Sequence, residues 1–103
     1  MLVKIDQEAH FGGGETAMFQ HIYTNVKWPA VKLGLIDDFM TVSFNVLTDG
    51  KVADVAVMKG IDPQIDKAIT DVLKAMTFEP SIQMGTAVKM NLMMNIPVRW
   101  RFD

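Results

Sequence analysis

The closing segment of the chain carries its clearest hydrophobic pattern. Every second residue from Val88 to Phe102 is apolar, and most positions between them, such as Lys89 and Asn91, are polar or charged. A period of two is typical of a β-strand with one buried face, so the pattern predicts one long strand. Because Pro97 cannot donate a ladder hydrogen bond, we expect this strand at the edge of a sheet, with an unpaired side near the proline.

A second alternating pattern predicts a β-hairpin in the middle of the chain. Apolar and polar residues alternate over Met40–Val46, and a further run of this kind covers Val52–Lys59. Between them stands Thr48-Asp49-Gly50-Lys51, where the glycine can adopt the positive φ of a tight turn. Residues 30–38, which precede the hairpin, are predicted to form a linker. The returning strand is expected to place three apolar residues on one face: Ala53, Val55 and Val57.

Two segments repeat their apolar residues at spacings of three and four, which is typical of amphipathic helices. The first helix is predicted over Glu15–Lys27 and ends before Pro29. The second is predicted over Pro63–Met76, with Asp62 as the N-cap and proline at the first helical position. The apolar positions are Met18, Phe19, Ile22 and Val26 in the first helix, and Ile65, Ala68, Ile69, Val72, Leu73 and Met76 in the second.

Together these elements predict an α+β fold in which two α-helices pack on a three-stranded antiparallel β-sheet, in the order αββαβ. Residues 1–14 are predicted to form an N-terminal arm, because three consecutive glycines interrupt regular structure at its end. Residues 15–103 are predicted to form the domain proper. Its core is expected to include Phe44, Ile69, Val72, Leu73 and Leu92.

Composition limits the classes of protein that the chain can belong to. A chain of 103 residues is one small domain, and 50% hydrophobic with 21% charged residues is enough to bury a core. The net charge of −2 provides no cationic field, so no nucleic-acid partner is expected. The chain contains no cysteine, which excludes disulfides and thiolate chemistry. No apolar stretch reaches the roughly 18 to 20 residues of a membrane span, so a soluble domain is expected.

Glycines and histidines supply the first candidates for chemistry. Gly12–Gly14 stands before a helix, but no Gly-Lys-Ser/Thr follows and Glu15 would repel a phosphate, so a loop leading into the helix is favoured over a nucleotide site. His10 lies in the arm and His21 on the first helix, too few and too differently placed for a metal site.

Carboxylates and methionines supply the remaining candidates, and neither group predicts a site. General acid/base catalysis needs a carboxylate whose pKa is shifted by burial or by a nearby charge. The candidate carboxylates are instead interpreted as parts of a loop (Asp37 and Asp38), a helix start (Asp62 and Asp66) and a solvated helix face (Asp71). A copper site is disfavoured because alternation sends Met93 to the face opposite Met90 and Met94. We therefore expect no catalytic residue, no metal and no cofactor. The carboxylates in question are Asp37, Asp38, Asp62, Asp66 and Asp71.

The edge of the long strand is the remaining candidate, because it offers unpaired backbone groups to which a peptide could add as a further strand. The alternative is that another segment covers this edge, either the arm or a second copy of the domain. A second copy would make a homodimer. Trp28, before Pro29, and Trp100 are candidate recognition aromatics, although packing is the more common role of a tryptophan in a small domain, and both roles stay open.

Six short motifs, taken in order, resemble the carboxyl-terminal domain of TonB energy transducers. The resemblance covers about residues 11–102 and is carried by the order and spacing of the motifs. Two positions depart from the family pattern: Gly12 stands where one branch has proline, and the usual glycine before the first hairpin strand is absent. The motifs are Phe11-Gly12-Gly13-Gly14-Glu15, Trp28-Pro29, Thr48-Asp49-Gly50-Lys51-Val52, Lys59-Gly60, Phe78-Glu79-Pro80 and the closing strand.

The resemblance implies a periplasmic domain that grips the TonB box of outer-membrane receptors by β-strand addition. It also implies a longer parent protein, in which an inner-membrane helix and a Pro-rich spacer connect the domain to the proton-motive inner-membrane complex. Only capture of the partner would then belong to the residues of this chain. The partner-binding residues that the resemblance implies are Trp28, Pro29, Lys89, Asn91, Leu92, Met93 and Asn95.

Two other interpretations stay open. The domain could be a structural or oligomerising TonB-like module of another envelope protein, which the sequence preceding residue 1 would decide: a membrane helix with a Pro-rich spacer indicates a transducer, and a catalytic or repeat domain indicates the alternative. A small enzyme is the third interpretation, and it lacks any Ser/His/Asp or metal constellation in this sequence.

Overall fold

The computed structural model describes residues 5–102. Met1–Lys4, the start of the predicted arm, and Asp103 lie outside the described residues. The elements follow the order βαββαβββ, which replaces the predicted αββαβ. They are β1 (Ile5–Gln7), α1 (Glu15–Asn25), β2 (Gly34–Val46), β3 (Val52–Lys59), α2 (Pro63–Ala75), β4 (Ser81–Gln83), β5 (Thr86–Val88) and β6 (Met90–Phe102).

The main sheet has the order β3-β2-β6, with both pairings antiparallel. The hairpin that joins β2 and β3 turns at Gly50, whose φ of 85° is the left-handed conformation that glycine adopts freely. A side chain at this position would also collide with the carbonyl oxygen of Phe78. The predicted turn is therefore confirmed, and β6 returns from far along the chain to flank β2 on its other side.

One face of this sheet is buried against the helices. Alternate residues of β2 are fully buried from Met40 to Val46, and they share one core cluster with Ile22 of α1 and Ile69 of α2. Of the five core residues predicted, Phe44, Ile69 and Leu73 are fully buried, whereas Val72 and Leu92 are partly buried and pack against the cluster.

Helix α2 begins where its sequence predicts and ends one residue earlier, at Ala75. The carboxylate of Asp62 accepts hydrogen bonds from the backbone N–H groups of Gln64 (3.0 Å) and Ile65 (3.4 Å), which satisfies two of the amide groups that a helix leaves unpaired at its start. Met76, predicted as the last helical residue, is the C-cap. Helix α1 ends at Asn25, two residues earlier than predicted, because Val26 is already extended on the approach to Trp28-Pro29.

The second sheet was not predicted, so the expectation of a single sheet is wrong. It has the order β1-β4-β5, and its strands have three residues each. Segments this short carry too little alternation to predict a strand. The described part of the arm therefore pairs with β4, and His10 bridges to Glu79 through two backbone hydrogen bonds.

Three strand boundaries or faces differ from the prediction. Strand β2 begins at Gly34, inside the predicted linker, because β6 is long enough to pair with it there. The predicted closing strand is two strands: Val88 pairs with β4 in the second sheet and Met90 with β2 in the main sheet, so the chain crosses between sheets at Lys89. The alternation of apolar and polar residues continues across this crossing, so the sequence gives no sign that the chain changes sheets at Lys89.

The predicted face of β3 is also wrong for one residue. Ala53 lies opposite Asn45 on the outer face of the sheet, whereas Val57 lies opposite the buried Val42. The pairing register shifts between these positions, where Asp54 adopts a positive φ of 55°. A bulge of this kind reverses the alternation on one side of it.

Candidate functional site

Strand β6 has one strand neighbour in the main sheet as described over residues 5–102, and its other flank has none. All thirteen of its residues pair with β2 without a register shift, from Met90 opposite Val46 to Phe102 opposite Gly34. Among residues 5–102, no other strand pairs with it. This flank of β6, from residue 91 to residue 95, is called the open edge below.

The hydrogen bonds around Pro97 fix which residues of β6 present their backbone to the open edge. Pro97 lies opposite Phe39. The N–H of Phe39 donates to the Asp38 carboxylate, and its C=O accepts from the Lys59 ammonium of β3, so neither group is directed at β6. The carbonyl oxygen of Pro97 accepts a hydrogen bond from the Tyr23 hydroxyl of α1. Pro97 and Phe39 are therefore a non-hydrogen-bonded pair, and the backbone of Pro97 faces away from β2.

Because the register is continuous, the same orientation repeats at every second residue toward the start of β6. The backbone N–H and C=O groups of Asn91, Met93 and Asn95 face the open edge, whereas those of Leu92 and Met94 pair with β2. These three residues give the open edge three donors and three acceptors at the spacing that an added strand requires.

A groove of about 410 Å³ runs beside the open edge. Its floor includes Leu92 and Met94, which lie on the core side of β6, and its far wall includes Phe11 and Phe19, from the loop before α1 and from α1 itself. A strand added at the open edge would direct alternate side chains into this mostly apolar groove.

The other face of the open edge is polar, with one exception. Asn91 donates from its side-chain amide to Ser43 Oγ (3.1 Å) and Asn45 Oδ1 (3.2 Å), and Asn95 Oδ1 accepts from the Thr41 hydroxyl (2.7 Å). Both asparagines are thus held by cross-strand hydrogen bonds on the outer face of the sheet. Met93 lies between them and is 62% exposed, on the face opposite Met90 and Met94 as the alternation predicts.

The structure separates the seven predicted site residues. Asn91, Leu92, Met93 and Asn95 lie together on the open edge, and Lys89 is exposed at the crossing that precedes it. Trp28 lies at the far end of β6, where its ring stacks on Trp100 with centroids 5.1 Å apart. Pro29 lines a different groove, between α1 and α2, together with Lys67 and Asp71.

Four of the five acidic residues weighed as acid/base pairs make local structural contacts. Asp66 accepts the backbone N–H of Ile61 (2.9 Å), next to the N-cap formed by Asp62. A hydrogen bond from Lys67 lowers the pKa of the exposed Asp71, and the Phe39 N–H followed by Lys59 lowers the pKa of the exposed Asp38. Within the described part of the chain, no three His, Asp or Glu side chains lie close enough to hold a metal ion.

Sequence reasoning missed the part of the site that α1 supplies. Phe19 was assigned to the core stripe, but it is half-buried and lines the groove, and Tyr23 contacts Pro97. These two aromatic residues are four apart and stack at 6.1 Å, on a face beside the buried stripe of Met18 and Ile22. Their spacing was the available signal, since two large aromatics on a second helical face indicate a second contact surface.

Comparison with known protein families identifies the class of domain that this edge and fold define. Residues 32–102, well over half of the chain, match the family described as the Gram-negative bacterial TonB protein C-terminal, and the chain belongs to this family. The resemblance found in the motifs is confirmed. The family is a non-catalytic protein-interaction domain of the periplasm whose members contact outer-membrane receptors.

Membership of this family suggests a TonB-like energy-transducer module. No curated protein matches it. None of the helices formed by residues 5–102 is both long enough and apolar enough to span a bilayer.

Proposed function

We propose that this domain captures the TonB box of outer-membrane receptors by adding it as a fourth strand to the open edge. In a longer parent protein, an inner-membrane anchor and the proton-motive complex would then pull on the captured receptor to support active transport. The observation that carries the proposal is the outward direction of the backbone at Asn91, Met93 and Asn95, on a strand with no bulge.

The surroundings of the edge support an extended peptide as the ligand. The groove on the core side is mostly apolar and the outer face is mostly polar. A bound peptide strand with alternating apolar and polar side chains would therefore match both faces. Main-chain hydrogen bonds would supply much of the affinity, and the side chains beside Asn91 and Asn95 would tune the choice of partner.

Amide chemical shifts test the proposal directly. The ¹⁵N-labelled domain is titrated with TonB-box peptides from the receptors of the same organism, and the expected result is that the amides of Asn91, Met93 and Asn95 shift first and most. The matched control is the same peptide with alternate backbone nitrogens methylated, which removes its donors and should prevent binding.

Three results would contradict the proposal. One is an absence of shifts with every peptide at millimolar concentration, and another is a set of shifts confined to α2. The third is a domain that self-associates through β6 in sedimentation experiments and cannot be separated by peptide, which would favour the structural or oligomerising module instead.

A further inference from the structure

A second concave site lies on the same flank of β6, beyond the open edge. Its volume is about 270 Å³, and its lining is formed by Tyr23 and Trp28 on one side and by residues 97–100 of β6 on the other. Three aromatic rings, those of Tyr23, Trp28 and Trp100, contribute to it, and it is called the aromatic pocket below.

The aromatic pocket keeps part of a large apolar surface in solvent. Trp100 remains 47% exposed although its ring stacks on Trp28 with an interplanar angle of 13°. Trp28 in turn packs edge-to-face against the buried Phe102, with centroids 5.7 Å apart. The contact with Phe102 thus fixes Trp28 in place. The stacked tryptophan pair is already ordered, so a ligand that binds it has little side-chain entropy to remove.

The charge beside the aromatic pocket is positive on the side of β6. Arg99 lines the pocket and Arg101 follows on the same face of β6, both exposed. Asp37 lies opposite Arg99 in the register, yet no carboxylate among residues 5–102 comes within 4.0 Å of either guanidinium group. Arg99 beside an apolar pocket, with Arg101 two residues further along the same face of β6, favours a ligand that carries carboxylates.

The open edge and the aromatic pocket are separated by a point at which strand pairing must stop. At Pro97 the backbone has no N–H to donate, and its carbonyl oxygen already accepts the Tyr23 hydroxyl. A peptide paired with Asn95 therefore cannot extend its ladder further, and its next residues must leave the extended strand. Arg99 lies four positions beyond Asn95 along the strand, about 13 Å at roughly 3.3 Å per residue.

We propose that the aromatic pocket binds an acidic, proline-containing segment that flanks the strand-forming segment of the same bound peptide. This inference rests on the proposed function and adds a second subsite to it. Proline suits the position because it needs no ladder partner, holds a polyproline conformation and packs on aromatic rings. Acidic neighbours of the proline would pair with Arg99 and Arg101.

Tryptophan fluorescence makes the pocket observable on its own, because Trp28 and Trp100 are the two tryptophans of the chain and both lie in it. The probe is a TonB-box peptide free of tryptophan, used alone and with Gly-Ser-Asp-Pro-Glu-Pro added at its amino or carboxyl end. The control carries Gly-Ser-Asn-Ala-Gln-Ala at the same end. We expect the acidic proline extension, at one of the two ends, to shift the tryptophan emission and to tighten binding by about two- to tenfold.

Two variants assign that gain to the pocket. Trp100→Ala should remove the gain in affinity from the extension and leave the affinity for the unextended peptide unchanged. The fluorescence of Trp28 remains available to detect any ligand in the pocket of this variant. The double change Arg99→Gln and Arg101→Gln should remove the salt dependence of the gain and keep part of it. Far-ultraviolet circular dichroism checks that both variants are folded.

The outcomes separate the two proposals. Shifts at residues 91–95 with no response from the tryptophans and no gain from either extension would overturn the second subsite and leave the proposed function standing. An absence of shifts at residues 91–95 would overturn the proposed function. A tryptophan response without those shifts would contradict the continuity between the open edge and the pocket.

Discussion

The two outer strands of the main sheet are built differently. Strand β6 pairs with β2 through thirteen consecutive residues without a register shift. Strand β3 has eight residues, its pairing shifts register twice, and Asp54 stands in it at a positive φ of 55°. Bulges bend and twist a strand, which makes an outer edge a poor template for another strand.

Hydrophobicity does not separate the two edges. Met58 on β3 is 60% exposed and Met93 on β6 is 62% exposed, so each edge leaves a large apolar residue in solvent. The difference lies in backbone regularity and in the charge of Lys59, which ends β3 and binds both Asp38 and the carbonyl oxygen of Phe39. Strand addition requires a flat, unpaired backbone, and β6 provides one where β3 does not.

The largest expected effect comes from a proline placed on each edge in turn. Asn91→Pro removes a backbone donor that faces the open edge, so it should abolish peptide binding, whereas Asn91→Ala keeps this donor and should weaken binding only modestly. The outer flank of β3, Val52–Lys59, is called the guarded edge below, and the matched change on it is Val57→Pro. Val57 lies opposite Val42 in a non-hydrogen-bonded pair, so its N–H also faces outward, and this variant should bind peptide normally.

Titration calorimetry with a TonB-box peptide measures these affinities, after circular dichroism has shown each variant to be folded. Unchanged binding by a folded Asn91→Pro variant would contradict the assignment of the open edge. Loss of binding with Val57→Pro in a folded domain would show that the two edges are not independent.

The next largest effect concerns the core that both edges share. Leu73 of α2 is fully buried, and truncation to alanine should reduce the free energy of unfolding by about 2 to 5 kcal/mol, the usual cost of deleting a buried leucine side chain. Chemical denaturation measures the change. Affinity for peptide, measured where the variant is still folded, should stay the same, and a neutral substitution would show that α2 does not pack as described.

Much of the main sheet could be predicted because its strands carry strong local signals. Strand β3, the turn at Gly50 and the cap at Asp62 were all predictable, since each depends on neighbours in the sequence. The second sheet could not be predicted, because three-residue strands such as β1 gain their stability from partners far along the chain. The bulge at Asp54 was hidden for the same reason, since alternation looks regular when read without a partner strand.

The candidate site was predictable only in part. Pro97 indicated an edge, and the alternation placed Asn91, Met93 and Asn95 on one face of β6. What the sequence could not provide was the position of α1, which brings Tyr23 to Pro97 and closes the open edge at one end. Contacts between elements that are 74 residues apart depend on how the helices pack, and no local pattern encodes that packing.

A smaller effect is expected at this closed end of the edge. Tyr23→Phe removes the hydroxyl that binds the Pro97 carbonyl and should cost about 1 kcal/mol of stability, the net value of one hydrogen bond. Burial raises the pKa of Tyr23 above its ordinary value of 10.0. The stabilisation should therefore be complete below about pH 10 and decline as the pH rises through the higher pKa of the folded state.

Absorbance of tyrosinate measures this pKa, because Tyr23 is the single tyrosine of the chain. A pKa in the folded domain equal to that of the denatured protein would contradict the burial of the hydroxyl. Equal stability of Tyr23→Phe and the original protein at pH 7 would contradict its hydrogen bond to Pro97.

The smallest effect is expected on the guarded side of the sheet, at the ion pair between Asp38 and Lys59. The two groups lie 3.0 Å apart, and both are exposed. Asp38→Asn keeps an acceptor for the Phe39 N–H and removes the charge, so it should lower the melting temperature slightly in low salt and not at all in high salt.

The pKa of Asp38 is lowered in the folded state, first by the Phe39 N–H and then by Lys59. The contribution of Asp38 to stability should therefore be present above its ordinary pKa and lost as the pH falls through the lowered pKa. Melting curves of both proteins at pH 7 and in acid, each at two salt concentrations, measure the difference. Peptide affinity should not change, since the pair joins β2 to β3 on the side away from the open edge, and a change in affinity would show that the guarded edge takes part in binding.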